Sequence, residues 1–300
     1  MFTKFLDPKN DVAFRRIFGS EKNKDILIDF LNDMITFKTR ATITDVTFLK
    51  TIQDPEVAAR KTSVVDVLCT DQKGNTYVVE MQLTKERGFE KRAQYYAAKA
   101  YASQLMVAGK YVSLKEVIFL AITNFVMFPK KKAYKSDHVI LDRDSHEHNL
   151  KDFSFTFLEL PKIDKTLEES NTRIEKWVYF FKHAKETSEK DVERLLKDTN
   201  TLHRAYEELN RFSWSDEELR AYEQAEKQEA DYIASMDQKY DEGIEKGRAE
   251  GIELGIQKGM TEGEKKAKLE IAKHLLVSGM DIDTIMSITK LTKKDIEGLK

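Results

Sequence analysis

Apolar residues near the start of the chain recur at helical spacing. The stretch "NDVAFRRIFGSEKNKDILIDFLNDMI" predicts two short helices. Ala13, Phe14, Ile17 and Phe18 form the first stripe, with Gly19 as a stop. Ile26, Leu27, Phe30, Leu31 and Met34 form the second. The period then drops to two. "ATITDVTFL", "SVVDVLCT" and "TYVVEMQLT" read as strands, rich in β-branched residues. "DQKGN" joins the last two as a hairpin turn in which Gly74 takes positive φ. "FEKRAQYYAAKAYASQLM" returns to the helical period, and "KEVIFLAITNFVMF", the most apolar run, is expected at the centre of a sheet. "DHVILDRD" and "DFSFTFLEL" add two further strands. The pattern predicts an α/β core: a sheet of about five or six strands with helices on its faces.

From about residue 166 onward the signal is helical. "SNTRIEKWVYFFKHAKE", "DVERLLKDT" and "TLHRAYEELNRF" are short amphipathic helices. "SWSDEELRAYEQAEKQEADYIASMDQKYDEG" is a longer one, with Ser213 or Ser215 at its start. The one internal repeat follows: Gly243, Gly247, Gly251, Gly255, Gly259 and Gly263. Each glycine costs a helix about 1 kcal/mol relative to alanine. The repeat therefore reads either as a helix whose glycine stripe admits a second helix closely, the favoured reading, or as a flexible linker. The final "KKAKLEIAKHLLVSGMDIDTIMSITKLTKKDIEGLK" predicts a helix, a Ser278–Gly279 turn, a short helix from Asp281 and another begun by Thr292. Ile271, Leu275, Leu276, Ile282, Ile285, Met286, Ile288, Leu291 and Ile296 are its expected core. Three such helices suit a helix-turn-helix DNA reader or a small protein-binding bundle. "DIDTIMSITK", taken as the recognition segment, has few residues suited to base edges. The expected organisation is a core over 1–165, a helical region over 166–240, the glycine repeat over 241–265 and a C-terminal module over 266–300.

Composition narrows the class. The chain is 41% hydrophobic and 34% charged, enough for a core under a heavily charged surface. Cys69 is the single cysteine, so no intramolecular disulfide forms, which suits a reducing compartment; a cytoplasmic protein is expected. The N-terminal stretch lacks an apolar signal region, and no run of about 18 apolar residues predicts a membrane span. Charge is uneven: residues 215–265 carry 15 acidic and 7 basic side chains. That acidic segment divides a mildly basic front from a mildly basic tail.

Two carboxylates stand inside apolar strands. Alternation puts Val64, Asp66, Leu68 and Thr70 on one face and Val65, Val67 and Cys69 on the other. Val78, Glu80 and Gln82 share a face of the next strand. A tight hairpin can bring Asp66 and Glu80 together, where two buried like charges repel and desolvation adds to the cost. A hard divalent cation such as Mg²⁺, which uses one or two carboxylates plus water and phosphate, resolves that conflict. The alternative is a solvated sheet face that carries both acids without chemistry. His138, His146 and His148 lie in a polar stretch without a separated second ligand pair, which disfavours zinc. Cys69 faces away from Asp66 and reads as core.

Four stretches, in order along nearly the whole chain, carry a resemblance: "DPKNDVAFRRIFG", "VVDVLCTDQKGNTYVVEMQ", "FEKRAQYYAAKAYASQL", and the glycine repeat with "IAKHLLVSGMDIDTIM". The second is similar to the core of the PD-(D/E)XK nucleases. The set resembles the Rpn family, recombination-promoting nucleases also described as PD-(D/E)XK transposase-like proteins. The resemblance implies a restriction-endonuclease-like mixed-sheet core flanked by helices and followed by an all-α C-terminal region. It also implies metal-dependent DNA cleavage. By position, Asp66 and Glu80 become metal-binding carboxylates, and Gln82 stands where the superfamily has lysine, as in the Rpn-like pattern. Gln82 carries no charge; it can orient a water or coordinate through its carbonyl oxygen, and a cation can come from elsewhere. Lys85 and Arg92 are the candidates, with Arg92 as a transition-state or phosphate contact or else a structural ion pair. Asp11 either completes the metal site, as an N-terminal helix acid does in many members of the superfamily, or caps its helix. Of Tyr95 and Tyr96, one is expected in the core and one free to contact DNA. DNA is the expected partner, with a homodimer through the C-terminal helices. Two functions follow: a Mg²⁺-dependent DNA endonuclease, or a regulator that binds through a retained nuclease scaffold.

Overall fold

The computed structural model describes residues 3–37, 42–50, 52–53, 63–107, 110–195 and 199–299. The chain forms two compact units, 1–229 and 230–300. Parts of the predicted strand at 41–49 and of the helix at 191–199 lie outside the described residues.

The first unit is built on a six-stranded mixed sheet. Its strands are β1 (Val46–Phe48), β4 (Val67–Asp71), β5 (Thr76–Gln82), β6 (Val117–Thr123), β8 (Phe153–Glu159) and β7 (Lys135–Val139), in that spatial order. β5, β6 and β8 run parallel; the β1–β4, β4–β5 and β7–β8 pairs are antiparallel. The apolar run of β6 is central and buried at every position. A separate two-residue ladder joins β2 (Ile52–Gln53) to β3 (Ser63–Val64), so the single strand predicted from residue 63 is broken before β4.

Alternation sorts the sheet between two cores. Val67, Cys69, Tyr77, Val79, Met81, Ile118, Leu120 and Ile122 pack with α1 (Asp11–Phe18), α2 (Lys24–Met34), α4 (Arg173–His183) and α6 (Asn200–Glu208). Leu68, Val78, Val117, Phe119, Ala121 and Phe157 pack with α3 (Phe89–Ser103). α3 meets the sheet through Phe89, Ala93, Ala97 and Ala100, whose small side chains at helical spacing let the helix lie close. One residue departs from the predicted faces: Val65 joins Leu68 on the α3 side. The chain bends at Asp66 before β4 begins, and the bend resets the alternation. In the β4–β5 turn Gly74 has φ 85°, and Asp71 Oδ1 accepts the Lys73 and Asn75 amides at 2.8 and 2.9 Å.

The helices around the first core follow their predicted stripes. α1 buries Ala13, Phe14, Ile17 and Phe18; α2 buries Ile26, Leu27, Phe30, Leu31 and Met34. α4 opens on a capping box between Thr172 and Glu175. α5 (Glu189–Leu195) is a short link to α6. α7 spans Asp216–Val277, 62 residues, and starts on a Ser215–Glu218 capping box. Tyr222 anchors its start: its hydroxyl accepts the Asp7 amide at 3.0 Å, and its carbonyl accepts Asn10 Nδ2 at 3.2 Å. The glycine repeat lies within α7 and is helical.

In the second unit, α8 (Ile282–Thr289) is capped by Asp281 and α9 (Lys293–Glu297) by Thr292, and Gly279 takes φ 80° between α7 and α8. Ala272, Ile285, Leu291 and Ile296 are its buried core. Ile271 and Ile288, expected inside, are exposed: α7 presents Ala272 inward beside Ile271, and α8 turns Ile285 and Thr289 inward.

Candidate active site

β4 and β5 carry the two acids to one place. Val67 opposes Val79 and Leu68 opposes Val78, so the same register extended by one step sets Asp66 against Glu80. The bend at Asp66 ends the ladder there, and its side chain takes over a backbone role: Asp66 Oδ2 accepts the Met81 amide at 2.9 Å. That bond pins the carboxylate to the neighbouring strand beside Glu80. On the other flank of Glu80 the register partner is Ala121, whose methyl leaves the acid room on the α3 face.

Glu80 is 6% exposed, and its Oε1 is buried with no hydrogen-bond partner. An unsatisfied buried carboxylate oxygen is costly, and native proteins rarely leave one without a reason. Burial holds the Glu80 carboxyl well above the usual carboxylate range; the nearby Asp66 charge adds to this, while Arg92 opposes it. Asp66 is raised too, first by burial, with the Met81 amide pulling down and Asp11 pushing up. Asp11 therefore lies close enough for its charge to act on both acids. It does not cap α1: Asn10 does, its Oδ1 accepting the Val12 amide at 3.0 Å.

A hard divalent cation fits these donors. Two carboxylates on adjoining strands supply oxygen, one with a free lone pair, and Mg²⁺ asks for little more from a protein. Among the described residues no group of three His, Cys, Asp or Glu side chains forms a ligand set. His138 packs against the Phe128 and Phe157 rings instead, with centroids 4.9 and 5.4 Å away.

Gln82, two residues beyond Glu80, does not stand alone. Its Oε1 accepts from Arg92 Nη2, and its Nε2 donates to the Thr84 carbonyl at 3.2 Å. Arg92, on the first turn of α3, also pairs with Glu86 at 2.5 Å and stacks on Phe89 with its guanidinium 4.9 Å from the ring centre. Its Nε is buried without an acceptor. α3 thus places a guanidinium against the Gln82 side chain. Lys85 points elsewhere, donating to the Val126 carbonyl at 3.3 Å. Tyr96 is half-buried near the site, its hydroxyl raised by burial and by Glu80, whereas Tyr95 is exposed. Cys69 lies in the opposite core, and burial with the Asp71 charge pushes its thiol up to about 12, so it is no nucleophile.

One residue escaped the sequence reading. Arg15 donates from Nη2 to Asp66 Oδ1 at 3.2 Å. Its place four positions after Asp11 puts both on one face of α1, a signal available in "DVAFRR". Nothing in that string separates Arg15 from its neighbour Arg16. Arg16 is structural: it bonds Glu208 and lies 4.6 Å from the Trp214 ring centre.

A family model described as PD-(D/E)XK nuclease family transposase matches residues 8–239. A second, described as the C-terminal HTH domain of the Rpn/YhgA-like nuclease family, matches residues 265–300. No curated protein and no solved structure gives a significant match. No helix among the described residues is long and apolar enough to cross a membrane. The mixed sheet flanked by helices and the helical tail agree with both matches, and the chain belongs to the PD-(D/E)XK nuclease family transposases, in the Rpn/YhgA-like group.

Proposed function

We propose that the protein is a metal-dependent endonuclease that hydrolyses phosphodiester bonds in DNA, with Asp66, Glu80, Gln82 and Arg92 as its working residues. The observation that carries this reading is the unpartnered, buried Oε1 of Glu80 beside Asp66. A protein that kept these acids for stability alone would have gained from a hydrogen bond or an apolar replacement at that point. Asp66 and Glu80 hold the divalent cation, most simply Mg²⁺, with Asp11 adding negative charge from α1. When bound, the cation supplies Lewis acidity toward the phosphate oxygens and favours deprotonation of water. Arg92, with its spare buried Nε–H, offers positive charge to the phosphate as negative charge grows on it. Gln82 orients that guanidinium through its carbonyl oxygen. DNA is the substrate the family description favours, and the helix-turn-helix tail is suited to holding it. A homodimer through the exposed length of α7 would present two such sites, one for each strand.

The test is incubation of the purified protein with supercoiled plasmid, with Mg²⁺ or with chelator. Nicked and linear products are expected with Mg²⁺ alone, and none from Asp66→Ala. A folded Asp66→Ala protein that cuts at the wild-type rate removes the reaction from this site.

A second reading draws on the lack of a three-residue ligand set among the described residues. Here the scaffold binds DNA or another protein without cutting. It expects no product under any metal, with DNA binding retained.

A further inference from the structure

Two arginines act on the paired acids, Arg15 by a bond to Asp66 and Arg92 through its charge on Glu80, and they are held very differently. Arg92 is tied to Gln82 and Glu86 and stacked on Phe89, with 29% of its side chain exposed. Arg15 has one ion pair among the described residues, to Asp66 Oδ1, through a single Nη2 at 3.2 Å. Charge-assisted bonds of this type run nearer 2.7–2.9 Å and are strongest when bidentate. The Arg15 side chain is 48% exposed, whereas Asp66 is 10% exposed. The carboxylate is therefore held by burial and by the Met81 amide, whereas the guanidinium is half-exposed and held by one long bond. α1 itself is firmly seated through Phe14 and Ile17, so the freedom belongs to the side chain rather than to the helix.

We propose that Arg15 is an exchangeable counter-ion of the site. It holds Asp66 while no metal is present, gives up that carboxylate to the divalent cation, and then binds a phosphate of the DNA strand. The inference rests on the reading of Asp66 and Glu80 as metal ligands. Its physical basis is competition. A guanidinium on Asp66 neutralises one of the charges that attract the cation, and once the cation arrives the two repel. Displaced toward solvent, a half-exposed arginine beside the acids lies where a phosphate must come to meet them. Arg15 thus opposes metal binding in the free protein and supports substrate binding in the loaded one. A merely structural arginine, one that orients Asp66, would assist both.

The experiment compares full-length wild type, Arg15→Gln, Arg15→Lys and Asp66→Ala. Mg²⁺ alone is titrated first and followed by thermal shift. Arg15→Gln is expected to bind Mg²⁺ about three- to tenfold more tightly than wild type, the range for removing one partly exposed charge. Arg15→Lys should stay near wild type. A short DNA duplex is then titrated by anisotropy with Ca²⁺ in place of Mg²⁺. Arg15→Gln is expected to lose affinity about three- to tenfold, with a salt dependence shallower by about one phosphate contact. Unchanged or weaker Mg²⁺ binding in Arg15→Gln overturns the inference alone, provided wild type responds to Mg²⁺ and Asp66→Ala does not. Unchanged DNA affinity with tighter Mg²⁺ overturns the phosphate role. A wild type that does not respond to Mg²⁺ overturns the metal-site reading and this inference with it.

Discussion

Arg92 donates its Nη2 proton to the side-chain oxygen of Gln82, across the gap between α3 and β5. Gln82 is neutral, and a cation supplied from α3 would stand in for the lysine that the wider superfamily carries at this strand position. If that is the role of Arg92, the cation should be movable. Arg92→Ala is expected to lower the nicking rate by about 10²- to 10³-fold, the usual loss for one transition-state contact. Adding Gln82→Lys to that variant should recover at least about tenfold, because lysine on the strand restores charge beside Glu80. Plasmid nicking rates for the three proteins check this. No recovery in a folded double variant would make Arg92 a structural cation, paired with Glu86 and stacked on Phe89, rather than a functional one.

Glu80 should make the metal-free protein less stable as pH rises. Its folded carboxyl is raised well above 4.5, first by burial and then by Asp66. Between the unfolded and folded values the native state keeps a proton that the unfolded state has lost. Stability therefore falls with rising pH across that window. Glu80→Gln removes the ionisation. In chelator it is expected to be more stable than wild type by about 1–2 kcal/mol near neutral pH. That advantage should shrink as pH falls and be lost below about pH 4.5, where both states of wild type hold the proton. Denaturant melts of both proteins at several pH values measure it, and a pH-independent difference would contradict the buried-charge account. The same variant should not nick plasmid.

The two readings of Asp11 now separate. Asn10 already caps α1, so Asp11→Asn removes no cap and should cost under about 0.5 kcal/mol of stability, against about 1 kcal/mol for a lost cap. Its effect should fall on the site instead. Asp11 acts on Asp66 and Glu80 through its charge, and losing that charge should weaken Mg²⁺ binding. A thermal shift titration with Mg²⁺ gives the answer. An unchanged midpoint would exclude Asp11 from the metal site.

What the sequence could tell of this protein depended on distance along the chain. The β4–β5 hairpin, its Gly74 turn and the Asp281 and Thr292 caps are local, written within a few residues. The pairing of Gln82 with Arg92 spans ten positions, and the helix-after-strand order already pointed to it. Arg15 and Asp66 are 51 positions apart, and no period links α1 to β4. The same limit hid the Arg173 pairs with Asp29 and Asp33, which join α4 to α2 across about 140 positions. Where strict alternation failed in the sheet, one physical event was responsible. The bend at Asp66 turned Val65 toward α3, against the strict alternation of a straight strand. That bend frees the Asp66 side chain to accept a backbone amide, so the misread position is also the one that builds the site.

The last prediction concerns the glycines of α7. Every residue from 230 to 267 is exposed, yet the segment is helical and holds six glycines, each about 1 kcal/mol worse than alanine in a helix. A Cβ built on Gly243, Gly247, Gly251, Gly255, Gly259 or Gly263 meets nothing within 4 Å, so nothing in the single chain explains them. Ile233, Met236, Tyr240, Gly243 and Gly247 follow in steps of three and four, and Gly251 and Leu254 continue the same face. Such a face suits a second copy of the helix, large side chains packing at one end and backbones approaching closely along the glycines. Gly247→Leu with Gly251→Leu should force the backbones apart, so the variant is expected to sediment as a weaker dimer and to shift plasmid products from linear toward nicked. If the helix is solvated on all sides, the same change should only raise helicity, because leucine is the better helix former. Sedimentation and circular dichroism of one variant then give opposite answers. An unchanged or stronger dimer would exclude a close glycine contact.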